Sequence, residues 1–180
     1  MKASHLMAVA LIAAAPLLTL PAAAQSVGEK TGVNSALGIS PSTQDFVTQA
    51  AVSDMFEIQS SELALQRADE PTKAFATQMI AAHKKTTEEL KSLLASANIN
   101  VTPPATLDNA HKEKLDALGK LQGKEFTEQY QEDQVDAHED AVSLFERYAD
   151  GGENPALKQW AGKTLPELKH HLDMAKKLAD

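Results

Sequence analysis

The sequence predicts an all-α fold, a four-helix bundle with a short extra helix in one crossover connection. Apolar side chains recur at helical spacing in four long segments, and no segment shows the alternation of a strand. Aromatic residues make up only 4% of the 180 residues, while Ala and Leu are frequent, which favours closely packed helices over a sheet. Short connections and one longer crossover between the four long segments make a bundle the natural packing.

The N-terminus has the pattern of a secretory signal peptide. An apolar run over residues 6–20 follows a lysine, and residues 22–24 form a small-residue cleavage signature. Pro16 breaks the run, which is shorter than the roughly 20 residues of a membrane-spanning helix. We therefore expect a signal peptide over residues 1–24 that is cut after Ala24, a periplasmic or secreted protein, and no integral membrane span after cleavage. An uncleaved anchor is the alternative.

The mature chain is expected to begin with a tether and continue into the bundle domain. Residues 25–41 contain Gly and Ser and lack a sustained period, which predicts a flexible tether. The bundle domain is predicted over residues 42–180. Its first long helix covers roughly residues 42–69, and either Ser40, before Pro41, or Ser42, with Asp45 three residues later, is its N-cap candidate.

Proline and glycine mark the limits of the other predicted helices. The second long helix begins at Pro71, because proline suits a first turn and disfavours helix at the residue before it. A short helix in the crossover covers roughly residues 108–121, and the third long helix covers roughly residues 124–150. The fourth begins at Pro155 and continues almost to the C-terminus.

Charge and composition exclude several function classes. The formal net charge of −8 argues against nucleic acid and anionic lipid as partners. The chain has no cysteine, which excludes disulfides and thiolate metal sites. Neither a glycine-rich phosphate loop nor a GxSxG turn is present, so we expect no nucleotide or organic cofactor and no serine-hydrolase chemistry. No catalytic residue is assigned.

Four polar residues lie on helix rows that should face the core. They are Glu57 in the first long helix, His83 in the second, His138 in the third and His171 in the fourth. With a rise of about 1.5 Å per residue, each lies roughly 18–24 Å from the start of its helix. Because each is near the middle of its helix, the four side chains should meet in one layer of an antiparallel bundle.

This set of donors is suited to a transition metal. One carboxylate and three imidazoles supply the nitrogen and oxygen ligands that bind Fe, Mn, Zn or Cu. Tyr130, two turns before His138, is expected to support a ligand by hydrogen bonding. The alternative is a polar layer without metal that fixes the register of the helices. A di-iron centre is disfavoured, because Glu167 and His170 have the required spacing but no second such pair exists.

Four segments of the sequence resemble the DUF4142 family of exported bacterial proteins, which form a ferritin-like helical bundle. The segments are FVTQAAVSDMFEIQSSELAL, KAFATQMIAAHKK, GKEFTEQYQEDQVDAHEDAVSLFE and LKQWAGKTLPELKHHLDMA. The resemblance covers about residues 46–175 and implies a ferritin-like fold and export. It places the recurring residues of the family on Glu57, His83, Tyr130, His138 and His171. The sequence differs at Ala82, where the family often has Asp before the His.

We therefore expect an exported bundle that binds one transition-metal ion in its core, in a role of storage, buffering or envelope stress protection. A second hypothesis is a metal-free structural or interaction module with an envelope protein as partner. A metal-dependent oxidoreductase is the third, and it requires an open coordination position and a path for substrate.

Overall fold

The computed structural model describes residues 26–180, and this range contains seven helices and no strand. The helices are α1 (Val27–Lys30), α2 (Val33–Ala36), α3 (Thr43–Arg67), α4 (Glu70–Ser96), α5 (Asn109–Leu118), α6 (Gly123–Gly151) and α7 (Pro155–Ala179). The predicted signal peptide lies outside the described residues. Within them, none of the helices combines the length and the apolar character needed to cross a membrane.

Side-chain caps fix where the long helices begin. The hydroxyl of Ser42 accepts a hydrogen bond from the backbone N–H of Asp45, as predicted, so α3 starts at the next residue. Asp69 caps α4 in the same way. Asn154 accepts two backbone N–H groups of the first turn of α7, which also has Pro155 at its first position.

The four long helices form the predicted bundle, in which neighbouring helices are antiparallel. The helix pairs α3–α4 and α6–α7 are joined by short connections, and α3 also lies against α6 and α4 against α7. Phe46, near the start of α3, stacks on Tyr148, near the end of α6, with ring centroids 3.9 Å apart. Arg67, at the end of α3, donates to the carbonyls of Gly119 and Leu121, just before α6. The crossover with α5 returns along α3, where His111 meets Phe56 edge to face.

A buried polar layer separates two apolar clusters in the core. One cluster fills the end of the bundle where α3 and α7 begin, and its largest members are Phe46, Leu90, Leu94, Leu144, Phe145, Tyr148, Leu157, Trp160 and Leu168. The other fills the opposite end and includes Ala64, Phe75, Met79, Leu118, Phe126, Tyr130 and Ala175. The polar layer between them contains Asp54, Glu57, Ser60, Ser61, His83, Gln134, His138 and His171, all of which are buried.

The segment before the bundle differs from the flexible tether that the sequence predicts. Within residues 26–41, α1 and α2 are single-turn helices that lie on the bundle. The backbone N–H of Ser26 donates to Asp45, and the buried carboxylate of Glu29 forms a two-pronged ion pair with Arg147 of α6, at 2.9 and 3.2 Å. Because charged and polar contacts hold this segment, hydrophobic periodicity gives no sign of it.

Candidate metal centre

Three histidines from three helices meet at the middle of the bundle. His83 of α4, His138 of α6 and His171 of α7 are 2%, 1% and 7% exposed. Their ring centroids are 5.5–5.8 Å apart. One ring nitrogen of each lies within 4.8 Å of the other two, which makes them a group that can hold a metal ion. The structure thus brings together the three imidazoles selected from the sequence.

Helical spacing explains why these rings point inward. His138 lies one turn after Gln134 and three residues before Ala141, and both neighbours are buried. His171 likewise lies between the buried residues Leu168 and Ala175. Residues three or four positions apart share one face of a helix, so a histidine within such a row is carried into the core with it.

Hydrogen bonds determine which nitrogen of two rings is free. Nδ1 of His83 donates to the carboxylate of Asp54 at 2.8 Å, and Nδ1 of His138 donates to the backbone carbonyl of Gln134, also at 2.8 Å. In the neutral ring, the proton on Nδ1 leaves the lone pair on Nε2. Both Nε2 atoms, and Nδ1 of His171, are buried without a hydrogen-bond partner among residues 26–180.

The three unpartnered nitrogens fit a bound cation. Leaving one buried polar atom without a partner costs about 1–3 kcal/mol, so native cores seldom contain several together. Here three such nitrogens belong to one cluster of imidazoles, and each ring in its neutral form has one lone pair to offer. Nitrogen donors of imidazole suit Zn, Cu, Fe and Ni, and a single ion can accept all three lone pairs.

Glu57 lies beside the histidines, outside the group of mutually close nitrogens. Its Oε1 is 3.8 Å from Nδ1 of His138. Both of its carboxylate oxygens are buried and lack a hydrogen-bond partner in the described part of the chain. Burial raises the pKa of Glu57 to about 7, although the charge of His83 opposes the shift. A nearby cation would therefore stabilise the carboxylate.

Burial keeps two of the imidazoles neutral. The pKa of His138 falls to about 3 and that of His171 to about 4, because burial and the charge of His83 disfavour the protonated rings. Burial also opposes protonation of His83, but its hydrogen bond to Asp54 and the charge of Glu57 hold its pKa above the usual value. At neutral pH the lone pairs of His138 and His171 are thus free to bind a metal.

Asp54 is a residue of the site that sequence reasoning missed. Besides Nδ1 of His83, its carboxylate accepts hydrogen bonds from the hydroxyls of Thr86, at 3.1 Å, and Thr87, at 2.9 Å. The sequence contained one signal, because Asp54 precedes Glu57 by three residues and so shares its helix face. The neighbours of His83 along α4 give no sign of this contact, because Asp54 comes from α3.

Tyr130 belongs to the apolar cluster that adjoins the polar layer, and its hydroxyl reaches the layer. Its buried hydroxyl and the hydroxyl of Ser61 form a hydrogen bond of 2.8 Å, and its ring packs against Phe75 and Phe126. Burial raises the pKa of Tyr130, and the charge of Glu57 adds to the shift. The phenol therefore stays protonated, and its support of a metal ligand stays a prediction.

One comparison with known proteins shows the family of this chain, and another shows its fold. The family described as "Domain of unknown function (DUF4142)" matches residues 28–178. No curated protein matches the chain. Among solved structures, "CopM in the Cu(II)-bound form" is similar, with a TM-score of 0.65 and 20% sequence identity, over 78% of this chain and 97% of that chain. At this identity the likeness shows a shared helical-bundle fold.

Proposed function

This chain belongs to the DUF4142 family, and we propose that it binds one divalent transition-metal ion in the core of its bundle. The proposed ligands are His83, His138 and His171, with Glu57 as the neighbouring carboxylate that completes the set. Copper and zinc suit this donor set best, because imidazole nitrogen predominates and affinities for such sites peak near the end of the first transition row. Bound in this way, the ion would be stored or buffered in the cell envelope.

One observation carries the proposal. Three buried imidazoles come from three helices, one ring nitrogen of each lies within 4.8 Å of the other two, and each ring has a buried nitrogen without a partner among residues 26–180. In a layer that only fixed the register of the helices, the polar atoms would be hydrogen-bonded to one another. Here the hydrogen bonds of His83 and His138 instead engage Nδ1 and leave each buried Nε2 without a partner in the described residues.

Charge balance also supports a divalent ion. Asp54 and Glu57 both lie in the layer, so the two carboxylates can offset two positive charges. The likeness to a structure described as Cu(II)-bound adds a precedent for metal binding by this fold, although it identifies no ligand residue of this chain. Storage or buffering is favoured over oxidoreductase chemistry because all the proposed ligands are buried. The Glu167 and His170 pair weighed for a di-iron centre is exposed.

Elemental analysis tests the proposal. The mature protein is purified without a His-tag or a chelator, beside a variant carrying His83→Ala, His138→Ala and His171→Ala. The control is His111→Ala, which removes a partly exposed imidazole on α5 that is hydrogen-bonded to Asp108. We expect near-stoichiometric metal in the parent and the control, and its loss in a triple variant that stays helical by circular dichroism.

An empty parent would contradict the proposal if it also fails to take up added Fe, Mn, Zn or Cu. Equal metal content in the parent and the triple variant would place the ion elsewhere and would exclude these histidines as its ligands. In the first case the layer would be structural, and the alternative function, binding of an envelope protein partner, would be favoured.

A further inference from the structure

We propose that Asp54 is a positioning residue of the metal site, which presets His83 as a ligand before the ion arrives. The inference rests on the proposed function and deepens it, because it says how one ligand is oriented and made a stronger donor. It assigns Asp54 no direct contact with the ion.

The surroundings of Asp54 fit this role. The carboxylate comes from α3 and receives three hydrogen bonds from α4, from Nδ1 of His83 and from the hydroxyls of Thr86 and Thr87. The threonine bonds go one to each carboxylate oxygen, so they fix the plane of the carboxylate. A carboxylate held in this way can orient the ring of His83 with little freedom of its own.

The hydrogen bond sets the tautomer of His83. A free neutral imidazole can carry its proton on either nitrogen. Because a carboxylate only accepts, the proton must lie on Nδ1 of His83, and the lone pair must lie on Nε2. That Nε2 atom is one of the three unpartnered nitrogens of the layer. When the ring of His83 is neutral, the metal-free protein therefore already presents its lone pair on the unpartnered Nε2.

The three imidazoles differ in what supports them. His138 is held by the backbone carbonyl of Gln134, an acceptor that α6 provides whatever the side chain. His83 alone is hydrogen-bonded to a charged side chain. A charged acceptor strengthens the hydrogen bond and makes the ring a better donor to a metal. Of these two supports, only the one at His83 can be removed by a side-chain substitution, which makes it testable.

A merely structural role is the competing explanation. The same contacts join α3 to α4, so Asp54 could serve only to hold two helices together. Such a role predicts that loss of Asp54 lowers stability and leaves both the tautomer of His83 and the metal affinity of the folded protein unchanged.

The first experiment reads the tautomers in the metal-free protein. Long-range ¹H–¹⁵N correlation spectra of the imidazole rings are recorded at alkaline pH on the parent, on Asp54→Asn and on Asp54→Ala. We expect His83 and His138 of the parent to carry their protons on Nδ1. In Asp54→Ala, His83 should lose that preference while His138 keeps it and serves as the internal control.

The second experiment measures affinity for Zn²⁺ by competition with a chromophoric chelator. Loss of a hydrogen-bonded partner behind a histidine ligand typically weakens metal binding by about 10- to 100-fold, and we expect a loss of this size for Asp54→Ala. Asp54→Asn keeps an acceptor but not the charge, so its affinity should be intermediate. Asp45→Asn is the matched control, because Asp45 is also a buried carboxylate of α3 but lies in its first turn.

The outcomes separate this inference from the proposed function. If the parent binds Zn²⁺ and folded Asp54→Asn and Asp54→Ala bind it equally well, Asp54 has no positioning role and the metal site stands. The same conclusion follows if His83 keeps its proton on Nδ1 in Asp54→Ala. If the parent takes up none of Fe, Mn, Zn and Cu, the proposed function fails and this inference fails with it.

Discussion

Glu57 places a carboxylate where water does not reach it. The residue is 1% exposed, and neither of its oxygens has a hydrogen-bond partner within residues 26–180. Its pKa rises from 4.5 to about 7, chiefly because burial disfavours the charged form. In the metal-free protein Glu57 therefore reduces stability at neutral and alkaline pH. A bound cation nearby would reverse that effect.

The variant Glu57→Gln should accordingly stabilise the metal-free protein and weaken metal binding. Because the pKa of Glu57 is raised in the folded chain, burial of this carboxyl does not lower the free energy of unfolding below about pH 4.5. As the pH rises from there through about 7, the carboxyl ionises more readily in the unfolded chain, and the free energy of unfolding falls. The amide cannot ionise, so the gain should be on the order of 1–3 kcal/mol above pH 7 and negligible at acid pH. Thermal unfolding with a chelator present, repeated across this pH range, measures it.

A Glu57→Gln protein with unchanged or lower stability at pH 8 would show that the carboxylate is compensated in the metal-free state. Unchanged affinity for Zn²⁺ and Cu²⁺ would remove Glu57 from the ligand set.

The histidines make an opposite contribution in acid. The pKa values of His138 and His171 fall from 6.5 to about 3 and about 4 in the folded chain, first because of burial and then because of the charge of His83. With these lowered values the unfolded chain takes up protons first, so stability should fall as the pH drops from 6.5 towards 3. Urea unfolding of metal-free Glu57→Gln measures this fall without the opposing titration of Glu57.

The comparison protein for this acid series carries His138→Gln in addition to Glu57→Gln. It should show a shallower loss of stability between pH 6.5 and 4. An equal slope in the two proteins would mean that His138 takes up its proton as easily in the folded chain as in the unfolded chain.

At the scale of elements, a buried ion pair between Glu29 and Arg147 and a few hydrogen bonds hold α1 and α2 on the bundle. Arg147 also donates to the carbonyl of Ile39, and the side chain of Gln49 donates to Glu29. Burial opposes ionisation of Glu29, but its hydrogen bonds to neighbouring side chains and the charge of Arg147 hold its pKa below the usual value. The segment thus depends on a few polar contacts, while Val27, Val33, Leu37 and Ile39 remain largely exposed.

Arg147→Ala should release this segment. Removing one partner of a buried ion pair commonly costs about 3–5 kcal/mol, because the other charge remains buried. Undocking of residues 26–39 relieves that penalty, so we expect faster hydrogen exchange there and a smaller change in the bundle. Hydrogen exchange read by mass spectrometry tests this, with Lys30→Ala, an exposed position of α1, as the control. Unchanged exchange over residues 26–39 would contradict it.

At the scale of the whole molecule, the polar layer stabilises the bundle only when its buried polar atoms have partners. It lies between the two apolar clusters, and its histidines come from α4, α6 and α7. In the metal-free protein the unpartnered nitrogens weaken the middle of the core. A bound ion would join α4, α6 and α7 through these histidines, and α3 through Glu57.

Added metal should therefore raise the unfolding temperature of the whole protein. An ion that binds only the folded chain stabilises it by about 2.7 kcal/mol at a free concentration of 100 times its dissociation constant. The gain should grow with the free metal concentration and fade in acid, as protons compete for the imidazoles. Calorimetry of the parent beside the triple histidine variant measures it. An equal gain in both proteins would place the stabilising ion outside this layer.

Most of the fold could be predicted from the sequence, because helices are determined by local patterns. Apolar spacing identified the four long helices, and the Ser42 cap was confirmed. Position along each helix placed Glu57, His83, His138 and His171 in one layer, because the rise per residue is constant. Each of these inferences needed only one segment of chain at a time.

Contacts between segments were decided by the tertiary structure alone. Asp54 reaches His83 from another helix, and Glu29 reaches Arg147 across 118 positions, so neither pair leaves a pattern in its own segment. The sequence also could not tell which nitrogen of each imidazole is free, because that depends on the acceptor behind the ring. The sequence thus determined the helices and the level at which their polar residues meet. Side-chain directions in the assembled bundle decided which atoms face one another, since those directions exist only after the helices have packed.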